Sequence, residues 1–212
     1  MTDQSVKMTS SSDMQAEPSS KREKILKAAV SVFSARGYRS TLVDEIAQEA
    51  GVAKGTLYLY FKSKEEIYLE AFRENVERLH EVTVRRIDEA HTTWDKIKAF
   101  IAARLEFGET NKHFLRIYLS EFVGSLTGRE EWAKQLKTAF QRESDLLRAV
   151  FEKGIEAGEV REIPVEQLVS MLYYAVGGIL MSRVTAIRLT EAQLDADMIV
   201  ELLRKGLGTL GQ

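Results

Sequence analysis

Residues suited to contact with nucleic acid lie close together between positions 54 and 60. Lys54, Gly55 and Thr56 follow one another directly, and Tyr58 and Tyr60 come shortly after. A lysine ammonium can donate to the acceptors on guanine, and threonine offers a hydroxyl together with a methyl that suits thymine. Glycine lets a backbone come close to its partner, and phenol hydroxyls suit phosphate oxygens. This spacing predicts a surface that reads base edges and holds the flanking phosphates.

The stretch from 40 to 64 predicts the elements that position these residues. Thr41, with Asp44 three residues on, is typical of a capping box at the start of a short helix, and Gly51 is typical of that helix's end. Residues 53–60 predict a second short helix with too few apolar residues to form a core of its own. Two short helices around a glycine turn indicate a helix-turn-helix, whose second helix presents its N-terminal residues to the major groove.

A third helix is predicted to begin behind this motif. Ser63, with Glu66 three residues later, has the spacing of another capping box. Lys64 falls in the first turn of that helix, where exposed amides and the helix dipole already favour an anion. Lys64 is therefore predicted to hold a DNA phosphate.

The run I-A-x-x-A-G-V-x-x-G-T-L-Y-x-Y-F-x-S-K-E-E, from Ile46 to Glu66, resembles the DNA-binding signature of the tetracycline-repressor (TetR) family of bacterial regulators. The resemblance covers roughly residues 22 to 72, about a quarter of the chain. It implies that Thr41 and the amide end of its helix touch phosphate, and that Leu57 and Phe61 are core. It also implies base contacts from Lys54, Gly55 and Thr56, and backbone contacts from Tyr58, Tyr60 and Lys64.

Composition agrees with a helical, one-ended DNA-binding protein. The 212 residues contain only two prolines, so little interrupts helix, and no cysteine that could form a disulfide or thiolate metal site. The net charge of −2 is unevenly distributed, because positions 20–64 hold nine Lys and Arg against four Asp and Glu. A basic head on an acidic body suits a protein that docks DNA by one end. With no signal pattern or run of 18 apolar residues, we expect a cytoplasmic protein outside the membrane.

Three regions are predicted along the chain. Residues 1–19 have no apolar period and predict a disordered tail. Residues 20–66 form the helix-turn-helix domain, whose first helix is predicted to begin at Ser20 and end at Gly37. Residues 67–212 form an effector-binding and dimerisation domain, entered through a long helix near 64–90 that joins head to body. The predicted fold is all-α, with a three-helix head and a helical-bundle body.

Further helix signals divide the body. Capping boxes are predicted at Thr92, Thr127 and Thr190, a break from Gly108 to Asn111 and a stop at Gly158. Pro164 predicts the first turn of another helix.

The helix that follows Pro164 is apolar on nearly all sides, so it needs cover on all sides. The last two helices of two copies are predicted to form a four-helix dimer interface, and the alternative is a central helix buried in a monomer. A homodimer suits a two-fold symmetric operator. The predicted interface residues are Tyr174, Gly177, Gly178, Met181 and Leu203.

The resemblance implies a small effector within the body, and the residues themselves favour a lipophilic one. Aromatic residues crowd the middle helices, and polar groups such as Arg104, His113, Arg116, Glu121 and Arg183 lie among them. A pocket should be mostly apolar with one or two polar groups, which suits an acyl-CoA or a hydrophobic drug. The predicted effector residues are Phe100, Arg104, Phe107, Phe114, Tyr118, Phe122, Phe140 and Tyr173.

Motifs for catalysis are weak. Glu77 with His80 has a spacing seen in carboxylate-bridged metal sites, and Asp88 with His91 comes close, but both pairs fall on one predicted helix. The sequence has no phosphate-binding or nucleophile-elbow motif, so no enzyme, cofactor or metal is expected. Two alternatives stay open: a constitutive DNA-binding protein without effector, and a family member whose body acts as an enzyme or ligand carrier.

Overall fold

Helices make up nearly all of the computed structural model, which describes residues 18–124, 130–185 and 195–207. The predicted all-α fold is confirmed. Most of the predicted tail, residues 1–17, lies outside the described residues. The helices of the described ranges are α1 (Pro18–Ser40), α2 (Val43–Glu49), α3 (Lys54–Tyr60), α4 (Lys64–Glu89), α5 (Thr93–Thr110), α6 (Lys112–Gly124), α7 (Glu130–Glu156), α8 (Val165–Val184) and α9 (Ala196–Leu207).

Several predicted helix ends are confirmed by their hydrogen bonds and dihedral angles. The amide of Glu66 donates to Ser63 Oγ at 3.1 Å at the start of α4. At the start of α5 the amide of Asp95 donates to Thr92 Oγ1, also at 3.1 Å. Gly51 closes α2 with a φ of 65°, which costs glycine little because it has no Cβ. The glycine turn therefore sets the angle between α2 and α3.

The start of α2 differs from the prediction. Leu42 is its N-cap, and Glu45 Oε2 accepts from the Leu42 amide at 3.0 Å, so the predicted box of Thr41 with Asp44 is wrong. Thr41 is fully buried, and its hydroxyl donates to the carbonyl of Gly37 at 2.8 Å. The physical reason is the positive φ of 76° at Gly37, which breaks α1 and brings its carbonyl within reach.

The predicted break from Gly108 to Asn111 falls at the last of these residues. Helix α5 runs through Gly108 to Thr110, Asn111 is its C-cap and α6 begins at Lys112. Gly108 itself is buried against α8. A Cβ at Gly108 would lie 2.6 Å from Leu180 Cδ2, so a residue without a side chain permits the close contact. Pro164 is the N-cap of α8 and not its first helical residue. The predicted caps at Thr127 and Thr190 lie outside the described residues.

Two hydrophobic cores meet at helix α6. The core of the head is formed by α1 to α4, together with Phe114 and Ile117 of α6. The core of the body is formed mainly by α5, α7 and α8, and it includes Leu115 and Leu119 of the same helix α6. Helix α6 therefore packs against both parts, and α4 runs from one to the other. The domain boundary at residues 66 and 67 stays a prediction.

Helix α8 is buried on one side only within a single chain. Its buried residues are Leu168, Val169, Leu172, Val176 and Leu180. Met171 and Tyr174 are exposed on the other side. By length and composition α8 is the one described helix that could cross a membrane, although a core helix of a soluble protein meets the same criterion.

Candidate DNA-binding surface and effector cavity

The first turn of α3 presents the predicted base-reading residues to solvent. Lys54 is exposed, and its Nζ lies 2.7 Å from Asp44 Oδ1 on α2. The hydrogen bond to Asp44 raises the pKa of Lys54 above its ordinary value, so the ammonium stays charged. Gly55 is also exposed, with open space where a Cβ would be, and Thr56 beside it is half-buried. The turn therefore combines a cation, a bare backbone and a hydroxyl.

Later residues of α3 divide between surface and core. Tyr58 is exposed, while Tyr60 packs partly against the core of the head. Leu57 and Phe61 are buried, as the resemblance implied. Leu59 is 83% exposed and was not singled out in the sequence, because an apolar residue carries no polar signal of a contact. An exposed leucine next to Tyr58 adds an apolar group that suits a thymine methyl.

Lys64 already has partners within the chain. Its Nζ donates to the carbonyl oxygens of Tyr38 at 2.9 Å, Arg39 at 3.3 Å and Thr41 at 2.9 Å, and it lies 4.7 Å from the centre of the Tyr38 ring. These bonds hold the end of α1 against the start of α4, so Lys64 acts as a positioning residue. The buried Thr41 hydroxyl is likewise engaged. Phosphate contacts from Lys64 and Thr41 therefore stay predictions, and each side chain would have to leave or share its present partners to make one.

We expect Lys64→Met to lower the free energy of unfolding by about 1–2 kcal/mol, because it removes charge-assisted bonds to three carbonyls. DNA affinity should then fall through a displaced head. Lys62→Met is the matched control, because Lys62 is exposed two residues away. Thermal unfolding and salt-dependent DNA binding of both variants check this. An unchanged melting temperature with a smaller salt slope in Lys64→Met would instead assign Lys64 to phosphate.

A narrow apolar cavity of about 50 Å³ lies within the body. It is bounded by helices α4, α5, α6 and α8. Five of the predicted effector residues line it: Arg104, Phe107, Phe114, Tyr118 and Tyr173. The remaining lining residues, which the sequence analysis did not assign to the effector, are Leu79, Gly108, Leu115, Val176, Gly177 and Leu180.

Phe100 and Phe140 of the predicted set lie behind the cavity lining. The Arg104 guanidinium carbon lies 3.4 Å from the centre of the Phe100 ring. The Phe140 ring centre lies 6.2 Å from that of Tyr118 and 4.5 Å from that of Tyr173. These rings support the lining residues. The side chain of Phe122 lies outside the described residues.

Gly177 has a position in the fold that the sequence did not predict. It is predicted to lie at the dimer interface with its neighbours, and within the single chain it also lines the cavity. Tyr174 and Gly178 are exposed on the far side of α8, and Met181 and Leu203 are half-buried. When a helix is apolar on all sides, its own sequence does not indicate which side faces the body and which faces a second copy. Packing against the other helices decides this.

A buried charged network closes the polar end of the cavity. Arg104 donates to Glu143 of α7 and, at 3.1 Å, to the carbonyl of Phe100. Both charged side chains are only about 5% exposed. His80 of α4 lies with Nδ1 2.6 Å from the other oxygen of Glu143. Arg104 and His80 together give both oxygens of this buried carboxylate a partner, which offsets the water it has lost.

Two tyrosines continue this polar end. The hydroxyls of Tyr118 and Tyr173 lie 3.2 Å apart. Burial raises the pKa of Tyr118 well above its ordinary value, and it also raises the pKa of Tyr173. Both hydroxyls therefore stay protonated at neutral pH and can donate a hydrogen bond.

Helix α6 carries contacts from the cavity to the head. Phe114 lines the cavity and belongs to the core of the head, where its ring centre lies 5.7 Å from that of Phe72. On the adjacent exposed side, Ser34 Oγ of α1 lies 2.5 Å from Nδ1 of His113. A shift of α6 would therefore move groups that hold α1.

Two of the other polar candidates, Arg183 and Glu77, are paired with side chains of other helices. Arg183 pairs with Glu109, and Arg116 is exposed. The side chain of Glu121 lies outside the described residues. Glu77, whose spacing to His80 is seen in carboxylate-bridged metal sites, accepts from both terminal nitrogens of Arg142, at 2.6 and 3.0 Å. Within the described ranges, no group of three or more His, Asp or Glu side chains converges on a point.

Comparison with known proteins identifies the class. The sequence model of the bacterial regulatory proteins of the tetR family matches residues 25–71. The fatty acid metabolism regulator protein of Bacillus subtilis is 31% identical over 144 residues, which cover 65% of this chain and 70% of that protein. The transcriptional activator FasR of Mycolicibacterium smegmatis is 34% identical over 151 residues, which cover 68% of this chain and 66% of that protein.

A solved structure extends the likeness to the body. The regulator FadR from Bacillus subtilis, in complex with stearoyl-CoA, superposes with a TM-score of 0.68 and 25% identity, over 88% of this chain and 97% of that one. The chain is thus a DNA-binding transcriptional regulator with a helix-turn-helix head and helical body. It belongs to the tetR family of bacterial regulatory proteins.

Proposed function

We propose that the protein is a cytoplasmic repressor that leaves a two-fold symmetric operator when a long-chain acyl-CoA enters its body. This proposal rests on the apolar cavity in the body. The polar end of that cavity is formed by Arg104, Tyr118 and Tyr173. The related FadR structure holds stearoyl-CoA, and the related Bacillus subtilis protein regulates fatty acid metabolism. Repression is preferred over activation on the basis of the family, although the relative FasR is an activator.

The size of the cavity suggests how binding would act on the head. A volume of about 50 Å³ is far below the roughly 300–1,000 Å³ of typical ligand pockets, so an acyl chain needs the lining helices to separate. Helix α6 is then displaced, because Phe114 lies between the cavity and the core of the head. An effector shifts the equilibrium only by its difference in affinity for the two states. A cavity that is closed in the DNA-competent state provides that difference.

A gel shift on DNA from the protein's own upstream region tests this function. Acyl-CoA esters of increasing chain length are titrated, with coenzyme A alone as the control. We expect a two-fold symmetric footprint that long-chain esters abolish and coenzyme A does not. A footprint that no ester releases would favour the constitutive binder, and consumption of the ester would favour the enzyme. A soluble dimer that binds no specific DNA would overturn the proposal.

The partner for DNA binding is proposed to be a second copy, seated on the exposed face of α8 and α9. Apolar side chains Met171, Tyr174, Met198 and Leu202 are exposed there. Exposed apolar patches of this kind mark interaction sites. Two copies joined in this way would present two heads to the two half-sites of an operator.

Leu202→Glu is expected to convert the dimer to monomer at micromolar concentration, because it places a carboxylate in the apolar interface. Leu202 is 66% exposed in a single chain, so the monomer should keep its fold. Arg161→Glu, at an exposed residue between α7 and α8, is the matched control. Light scattering after size exclusion gives the mass of each variant. A dimer in both variants would place the interface elsewhere.

A further inference from the structure

Arg104 is the cation at the described lining of the cavity, and it is already neutralised. Its guanidinium donates to Glu143, and both groups are buried. We infer that the cavity accepts neutral acyl derivatives such as thioesters and rejects free fatty acids, with Glu143 as the residue that sets this selectivity. The inference rests on the proposed acyl-CoA function and adds a specificity determinant to it.

A free carboxylate would meet an unfavourable charge balance in this cavity. When it enters the cavity, the carboxylate is transferred from water to apolar surroundings. This transfer costs free energy unless a nearby cation compensates the charge. Arg104 is bound to Glu143, whose second oxygen is engaged by His80. A carboxylate at the guanidinium would therefore lie close to Glu143, and two like charges at short distance repel strongly in a low-dielectric interior. The pair of Arg104 and Glu143 thus opposes an anionic ligand.

A thioester carbonyl meets no such opposition. It carries no charge, and it needs one hydrogen-bond donor when it loses water. The hydroxyls of Tyr118 and Tyr173 have two hydrogens between them, and a single bond between the two oxygens uses only one. The other hydrogen can donate to a carbonyl oxygen in the cavity. The tyrosine pair therefore suits a neutral oxygen, while the charge of Arg104 is already paired with Glu143.

Three ligands with the same twelve-carbon chain separate the effects of the carboxylate charge, the thioester and the nucleotide on binding. Lauric acid carries the carboxylate, S-ethyl thiododecanoate carries a neutral thioester without a nucleotide, and lauroyl-CoA tests the proposed function itself. Binding to the full-length dimer is measured by isothermal titration and by release of operator DNA. We expect the S-ethyl thioester to bind at least tenfold more tightly than laurate. Glu143→Gln should reduce that ratio at least tenfold, because Arg104 can then pair with the carboxylate.

Matched variants separate selectivity from general damage. Glu77→Gln neutralises a carboxylate that pairs with an arginine outside the cavity, and it should leave the ratio unchanged. The double variant Tyr118→Phe/Tyr173→Phe should weaken the S-ethyl thioester about tenfold without improving laurate, since it removes both hydroxyl donors. This double variant and the wild-type ratio still decide the matter if Glu143→Gln does not fold.

The outcomes of the two proposals are distinguishable. If the wild type binds none of the three ligands, the acyl-CoA function fails. If the wild type binds lauroyl-CoA but binds laurate as tightly as the S-ethyl thioester, the selectivity fails alone. An unchanged ratio in a folded Glu143→Gln would also overturn the role of Glu143.

Discussion

Arg104→Met is expected to lower the free energy of unfolding by about 3–5 kcal/mol, because it strands a buried carboxylate. Glu143 is about 5% exposed, and Arg104 is one of its two partners. Methionine fills a similar volume beside Phe100, so the loss would be chiefly electrostatic. His80 would remain hydrogen-bonded to the other oxygen of Glu143. We expect that bond alone to be insufficient, since it leaves one side of the carboxylate without a donor.

Chemical denaturation of the wild type and four variants checks this result. The double variant Arg104→Met/Glu143→Leu should recover most of the lost stability, because neither charge is then left alone. Arg142→Met is the matched control, and it should cost at most about 1 kcal/mol since its pair with Glu77 is half exposed. Glu143→Leu alone completes the cycle. A loss below about 1 kcal/mol in Arg104→Met would show that Glu143 does not need Arg104.

The head could be predicted closely from sequence because its signals are local. A glycine turn, the capping box at Ser63 and the aromatic spacing all act within a few residues, so Gly51, Leu57 and Phe61 lie where expected. The intramolecular partners of Thr41 and Lys64 were not predicted, because most of them come from α1. The carbonyls that they bind are exposed by the turn at Gly37, and a local motif does not report a bond to another helix.

The body was predictable in its helices but not in its polar contacts. Glu143 could have been recognised as buried, since Phe140 and Leu147 flank it at helical spacing, but its partner Arg104 lies 39 positions away. The cavity likewise depends on small residues that permit close packing. Gly108 lies inside α5, where the sequence predicted the beginning of a break, and its close contact with Leu180 of α8 requires a residue without a side chain. These features are set by tertiary packing, which residue periodicity constrains only in part.

The second large effect is expected for Gly177→Leu, which should give a protein that binds its operator and no longer responds to acyl-CoA. Gly177 lines the cavity, and nothing lies within 4 Å of where its Cβ would be. The new side chain would occupy the space that the acyl chain needs. Overpacking of this kind costs about 1–3 kcal/mol, which corresponds to roughly ten- to hundredfold weaker effector binding.

Stability distinguishes this effect from unfolding. Glycine within a helix is about 1 kcal/mol less favourable than alanine, and leucine is close to alanine, so the variant should be at least as stable as the wild type. Gly178→Leu is the matched control, because it adds the same side chain to an exposed position on the same helix.

Operator release by lauroyl-CoA, thermal unfolding and dimer mass are measured for both variants. Normal release in Gly177→Leu would place the acyl chain outside this cavity, and loss of release in both would implicate the dimer interface. Loss in Gly177→Leu alone, with stability and mass unchanged, would tie the regulatory response to the space between α5, α6 and α8.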